Sequence, residues 1–180
     1  MMKTFFKTTA LASLLAFMPL IAQAEDPAKF KVGEFDFARP AAWKWTPIQP
    51  GMRKAQLAVV DEKSGAKAEV IFFHFGPGQG GDAKANIDRW LSQFQEGADK
   101  INAKIEPVAV GKGKITYVSA EGTYLSGMPG GPKTPQPDAA LQGAIVESTE
   151  GNVFIRMTGP KALVIASVKA FREMVESPLK

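Results

Sequence analysis

Few side chains in this sequence could do covalent chemistry, and their spacing limits what that chemistry is. There is one histidine, His74, and no cysteine. Without thiols there is no disulfide framework, no Cys nucleophile, no thiolate metal site and no lipid-bearing cysteine after an export signal. One imidazole rules out a site built from several histidines, and any Ser–His–Asp triad would have to be centred on His74. That residue stands between Phe73 and Phe75 in an apolar run, where a hydrogen-bonded core or rim histidine is expected. No G-x-S-x-G elbow occurs, and Leu125-Ser126-Gly127 is loop chemistry. Asp61-x-Lys63-x-Gly65 lacks the oxygen ligands of a calcium loop. The sequence therefore assigns no catalytic residue, no metal ligand and no cofactor.

Immediately after His74 comes the chain's most distinctive motif, Gly76-Pro77-Gly78-Gln79-Gly80-Gly81. Gly76, Gly78 and Gly81 match G-x-G-x-x-G, but a dinucleotide site also needs a parallel βαβ unit and an acid about 20 residues on that contacts ribose. Glu96 and Asp99 lie near that distance but follow the expected helix, Pro77 removes one amide donor, and no Gly-Lys-Ser/Thr follows. The run reads instead as a turn that brings a strand tightly into its covering helix. Its functional alternative is a recognition loop, because free amides at a helix start favour anions. Asp82 argues against an anion there, since its carboxylate already occupies the positive end. At 100° per residue, Asn86, Arg89 and Gln93 fall within about 60° along the edge of the helix's apolar face. The candidate binding residues are Gly76, Gly78, Gln79, Gly80, Gly81, Asn86, Arg89 and Gln93. For Arg89 the competing expectation is a salt bridge, or a helix-to-loop hydrogen bond that fixes the glycine turn. Trp90 fits the buried helix face; Trp43 and Trp45 point the same way along a strand, and an exposed ring there would suit sugar stacking.

These residues must be positioned by a single domain behind an export signal. Lys3 and Lys7 charge the start, Thr8 to Ile21 is apolar, and Ala22-Gln23-Ala24 supplies a peptidase site, so the mature chain is expected to begin at Glu25. The apolar run is shorter than the roughly 20 residues of a membrane span. The signal carries two of the 22 basic residues and none of the 18 acids, so the net charge falls from +4 to +2 over the remaining 156 positions. Lys and Arg are scattered among acids rather than clustered, so nucleic acid is not an expected partner. About 150 residues suffice for one core, expected over 25–180.

Along that domain, Phe30 to Phe37 alternates apolar and polar residues as a strand does, and the Pro40 turn leads to a second extended piece at Trp43-Lys44-Trp45. Gln56 to Val60 is a third strand, and Asp61 to Gly65 a tight turn. Ala68 to Phe75, apolar on both faces, is expected at the centre of a covered sheet. Asp82 caps a helix carrying Ala83, Ile87, Trp90, Leu91 and Phe94 and ending near Gly97. Lys104 to Val110 and Lys114 to Tyr124 follow as strands. An irregular surface loop is expected over Gly127 to Asp138, with three Gly and four Pro. Ala139 to Glu147 and Asn152 to Thr158 form another hairpin. Gly159-Pro160 then opens a last helix with Val164, Val168, Phe171 and Val175 on one face, stopped by Pro178. Strands joined by short turns are antiparallel, so the fold class is α+β, a central antiparallel sheet flanked by helices.

The opening Phe35-x-Phe37-x-x-Pro40-x-x-Trp43 and this order of elements resemble the PsbP-like fold, shared by an extrinsic photosystem II subunit and a Ran-binding nuclear-transport factor. Phe73-x-Phe75-Gly76-Pro77-Gly78-Gln79-Gly80-Gly81 with Asn86, Arg89-Trp90 and Gln93-Phe94 resembles a group of uncharacterised exported bacterial proteins, as do Gly122-Thr123-Tyr124, Gly143 to Glu147 and Thr158-Gly159-Pro160. The resemblance implies an α/β/α sandwich and an exported location, periplasmic or secreted, and brings no catalytic residue with it. The expected function is non-enzymatic: an accessory or binding protein acting on another envelope or secreted component, and not an integral membrane protein. The alternative is a small-ligand binder, for an anion or carbohydrate, using the glycine loop 76–81; a hydrolase is the weaker reading.

Overall fold

The computed structural model describes residues 27–48, 50–127 and 130–180, so the expected export signal at 1–24 lies outside the described residues. Among them, nine strands and two α-helices follow one another as β1 (Lys29–Val32), β2 (Phe35–Ala38), β3 (Lys44–Trp45), β4 (Arg53–Val60), β5 (Lys67–His74), α1 (Ala83–Leu91), β6 (Lys104–Val110), β7 (Gly113–Ser126), β8 (Thr134–Val146), β9 (Val153–Pro160) and α2 (Lys161–Glu176). Seven strands form one sheet in the order β3-β4-β5-β9-β8-β7-β6, every pair antiparallel. Two meanders, β3 to β5 and β6 to β9, meet where β5 pairs with β9. The molecule is thus α+β, as the element order implies. β5 lies inside the sheet, but β9 is its middle strand.

The opening run is not one strand. Val32 pairs with Phe35, leaving Gly33-Glu34 as a two-residue turn, so β1 and β2 form a separate hairpin. Gly33 has φ of +61° and a Cβ there would stand 3.0 Å from the His74 ring. Glycine is therefore required both for the turn and for the approach. The hairpin lies on one face of the sheet beside α2, where Phe30 and Phe37 each meet Phe72 edge-on and Val164, Phe171, Met174 and Val175 close the core. Trp43 is buried in this layer and Trp45 packs against it with its ring 5.4 Å from Phe30, so neither is the exposed platform considered for a sugar. The other face holds a smaller core, in which Ile87 and Trp90 of α1 join Phe94, Ile101, Val118, Leu141, Ile145 and Phe154. A helix on each face explains why β5 is apolar both ways, Val70 and Phe72 to one side and Phe73 to the other.

Asp82 caps α1 as expected, its carboxylate accepting from the amide of Ala85 at 2.6 Å. The helix stops at Leu91, however, and not near Gly97. Beyond Ser92 the chain extends along β7, where the amide of Gln95 donates to Thr123 and that of Leu125 to Gln93. Phe94 still reaches the core, against Tyr124 at 5.5 Å, so apolar spacing persisted past the helix. Glu96 then accepts from the amide of Thr123 at the bulge of β7, and hydrogen bonds from the Thr123 hydroxyl and amide hold its carboxyl below the usual range. Two further boundaries differ. β8 begins at Thr134, inside the stretch expected as loop, because it continues its ladder with the far end of β7, Ser126 opposite Thr134. Gly159 and Pro160 belong to β9 rather than to the helix, and Pro178 sits in a 3₁₀ turn, Ser177–Leu179, that follows α2.

Candidate functional site

The eight candidate residues divide into a turn and a relay. Gly76, Gly78, Gly80 and Gly81 all have positive φ, between 66° and 88°, so the loop's path requires glycine. A Cβ on Gly80 would lie 2.5 Å from the Phe75 ring, and one on Gly151 would lie 2.4 Å from the carbonyl oxygen of Gly76, so the loop is wedged between its neighbours. Gly78 and Gln79 are at its exposed tip. Asn86 is buried and fully used: its amide nitrogen donates to the carbonyls of Gly80 at 2.8 Å and Asp82 at 2.9 Å, and its oxygen accepts from Arg89 at 2.9 Å. The helix-to-loop bonds expected of Arg89 are thus made by Asn86, and Arg89, exposed, touches the turn only indirectly, through a hydrogen bond that stays within α1. Gln93 extends the relay, donating to the backbone oxygen of Arg89 at 3.2 Å and accepting from the Tyr124 hydroxyl and from Arg156 Nη1, the latter at 2.9 Å.

Arg156 and Tyr124 are the members that sequence reasoning missed. Arg156 sits on β9 between Ile71 and Gly143 on the neighbouring strands, on the face that α1 covers. Its alternation with Phe154 put a charge at an inward position, which was the available signal. Its Nε is buried without a partner, and among the described residues no carboxylate lies within 4.0 Å of its guanidinium. Glu69 stands two residues along β5 from Ile71, the residue paired with Arg156, yet its carboxylate is taken by Gln56 at 2.6 Å and Arg53 at 3.3 Å. Burial pushes the Tyr124 phenol up, so it stays a neutral donor. Gly143 completes the floor: a Cβ there would meet the Trp90 ring at 2.5 Å, so glycine lets α1 lie close on the sheet.

His74 is remote from this relay's chemistry. Its Nε2–H donates to the carbonyl of Glu150 at 3.1 Å, while the Ser148 hydroxyl donates to Glu34. Ser, His and Glu thus meet at one rim without the Ser-to-His hydrogen bond that activation of a hydroxyl requires. Among the described residues no three His, Asp or Glu side chains are grouped to hold a metal ion, and no helix is long and apolar enough to cross a membrane.

On the opposite face a groove of about 260 Å³ runs between α2 and strands β6 to β8. At its rim Arg172 grips Glu106 and lies 4.2 Å from the Tyr117 ring centre, and Lys161 meets Glu121 at 2.5 Å, while Lys104 has no ion pair among the described residues. The guanidinium holds the Glu106 carboxyl low. Tyr117, whose phenol burial pushes well up, donates to Glu176 at 3.2 Å. No protein-family model matches the chain, and no curated protein matches it.

Proposed function

We propose that the chain is an exported, non-enzymatic binding protein of the cell envelope, cleaved after Ala24, which holds an acidic group of another envelope component on the α1 side of its sheet. Two layers of helix over one antiparallel sheet are compatible with the PsbP-like sandwich implied by the resemblance, and we adopt that fold class as part of the proposal. The observation that carries the binding reading is Arg156. A guanidinium half-buried on a sheet, joined among the described residues only to the neutral amide of Gln93 and to no carboxylate, is a charge whose counterpart is supplied from outside. The glycine turn, Asn86 and Arg89 keep α1 and Gln93 in place beside it.

Photo-crosslinking in cells tests this directly, with the reactive group at Gln79 or Gln95, both exposed on the α1 side, and at Lys63 on a distant turn as control. A discrete crosslinked species is expected from the α1-side positions and not from Lys63, and it should vanish in Arg156→Met. An unchanged crosslink in that variant overturns the proposal. N-terminal sequencing of the exported protein should give Glu25 as first residue.

A further inference from the structure

A second binding surface, independent of Arg156 and on the other face of the sheet, follows from one side chain in the α2 groove. Gln142 of β8 lies in an otherwise apolar run, Ala139 to Val146, and is 5% exposed. Among the described residues its carboxamide makes no hydrogen bond, yet neither of its polar atoms is sealed from solvent, because it lines the groove floor. Ser119, its direct partner across the β7–β8 ladder, lines the same floor, and among the described residues its hydroxyl likewise makes no hydrogen bond. A polar group this deep takes its partner from whatever enters the groove, water in the free protein and a ligand's polar atoms when one is bound.

We infer that the groove binds a small amide-bearing ligand, of the size of one peptide group with a short aliphatic side chain. A carboxamide presents a donor and an acceptor in one plane, the complement of a peptide group, and the Ser119 hydroxyl adds a rotatable donor or acceptor. The walls are apolar: Val164 and Val168 stand along one side, and Ile165, 50% exposed, stands at the mouth. Arg172 is taken by Glu106 and Lys161 by Glu121, which leaves Lys104, at the β6 edge, as the lining charge without a carboxylate among the described residues; the groups on the floor itself, Gln142 and Ser119, are neutral and match a neutral amide. At about 260 Å³ the groove lies just below the size of ordinary drug-sized pockets, so one residue of a peptide fills it.

The probe is N-acetyl-L-valine N-methylamide, titrated into the ¹⁵N-labelled mature protein. The side-chain NH₂ resonances of Gln142, identified by their loss in Gln142→Leu, and the backbone amides of Ser119 and Ile165 should shift saturably. Gln142→Leu should weaken binding about tenfold, the factor set by losing one hydrogen-bonded group. Ser119→Ala, which leaves the core untouched, should weaken it less. Arg156→Met should leave the titration unchanged, so failure here and failure of the acidic-partner reading are told apart. Absence of shifts, equal affinity in Gln142→Leu, or shifts given by glucose and not by the amide would each overturn the inference.

Discussion

Replacing Arg156 by methionine separates a structural arginine from one held ready for a partner. The change keeps the length and most of the aliphatic stem against Ile71 and Gly143 while removing the charge. Two opposing contributions then decide the outcome. The hydrogen bond from Nη1 to Gln93 is lost, and bonds made by charged groups are worth about 1.5–3 kcal/mol. The buried, unpartnered Nε disappears, and such an orphan costs about 1–3 kcal/mol. Gln93 keeps the Tyr124 hydroxyl as donor, so no new orphan is created. The contributions cancel to within about 1 kcal/mol, which for a domain of this size is a change in Tm of about 2–4 °C in either direction. An arginine in a buried ion pair would instead lose about 3–5 kcal/mol on removal of its charge. Urea denaturation of the mature chain, followed by tryptophan fluorescence, measures the difference, with Trp90 on the same sheet face as reporter. A loss above about 2 kcal/mol would make Arg156 a structural residue and remove the basis for an external acidic group.

Two further outcomes are expected. Gly143→Ala places a methyl 2.5 Å from the Trp90 ring and should destabilise by about 1–3 kcal/mol, with a shifted Trp emission; an unchanged urea midpoint and spectrum would show that α1 is not seated tightly there. Glu96→Gln should alter the pH dependence of stability. The Glu96 carboxyl is held low by the hydroxyl of Thr123 and then by its amide, so its contribution is present above the unfolded-state value of about 4.3 and is lost as pH falls through the lower folded value. Urea midpoints of the parent and the variant should therefore separate above about pH 4.5 and converge below it, and parallel curves would refute the role given to Glu96.

Extended runs between turn signals placed β4, β5, β6 and β9 close to their observed spans, and β5, apolar on both faces, does lie inside a sheet covered on both sides. The break at Gly33 was also written in the sequence, since the apolar positions shift from 30 and 32 to 35 and 37, a change of phase that one continuous strand would not show. α1 was over-extended because Phe94 returns to the same core after the helix has ended, and apolar spacing records which side of the sheet a residue reaches, not the backbone that carries it there. The prolines at 135 and 137 signalled a loop, yet that segment is an exposed end of β8 paired with β7.

Local chemistry by itself determined the glycine turn, the Asp82 cap and the polar stripe Asn86, Arg89 and Gln93, since each depends on residues within about one helical turn. What the stripe joins was decided only by tertiary structure. Arg156 lies 63 positions from Gln93 along the chain and arrives through the pairing of β9 with β5 and β8. Gln142 and Ser119 likewise become one groove floor only when β7 and β8 are in register beneath α2. A charge without a carboxylate and an amide without a partner are properties of a surrounding shell, and non-local strand pairing builds that shell.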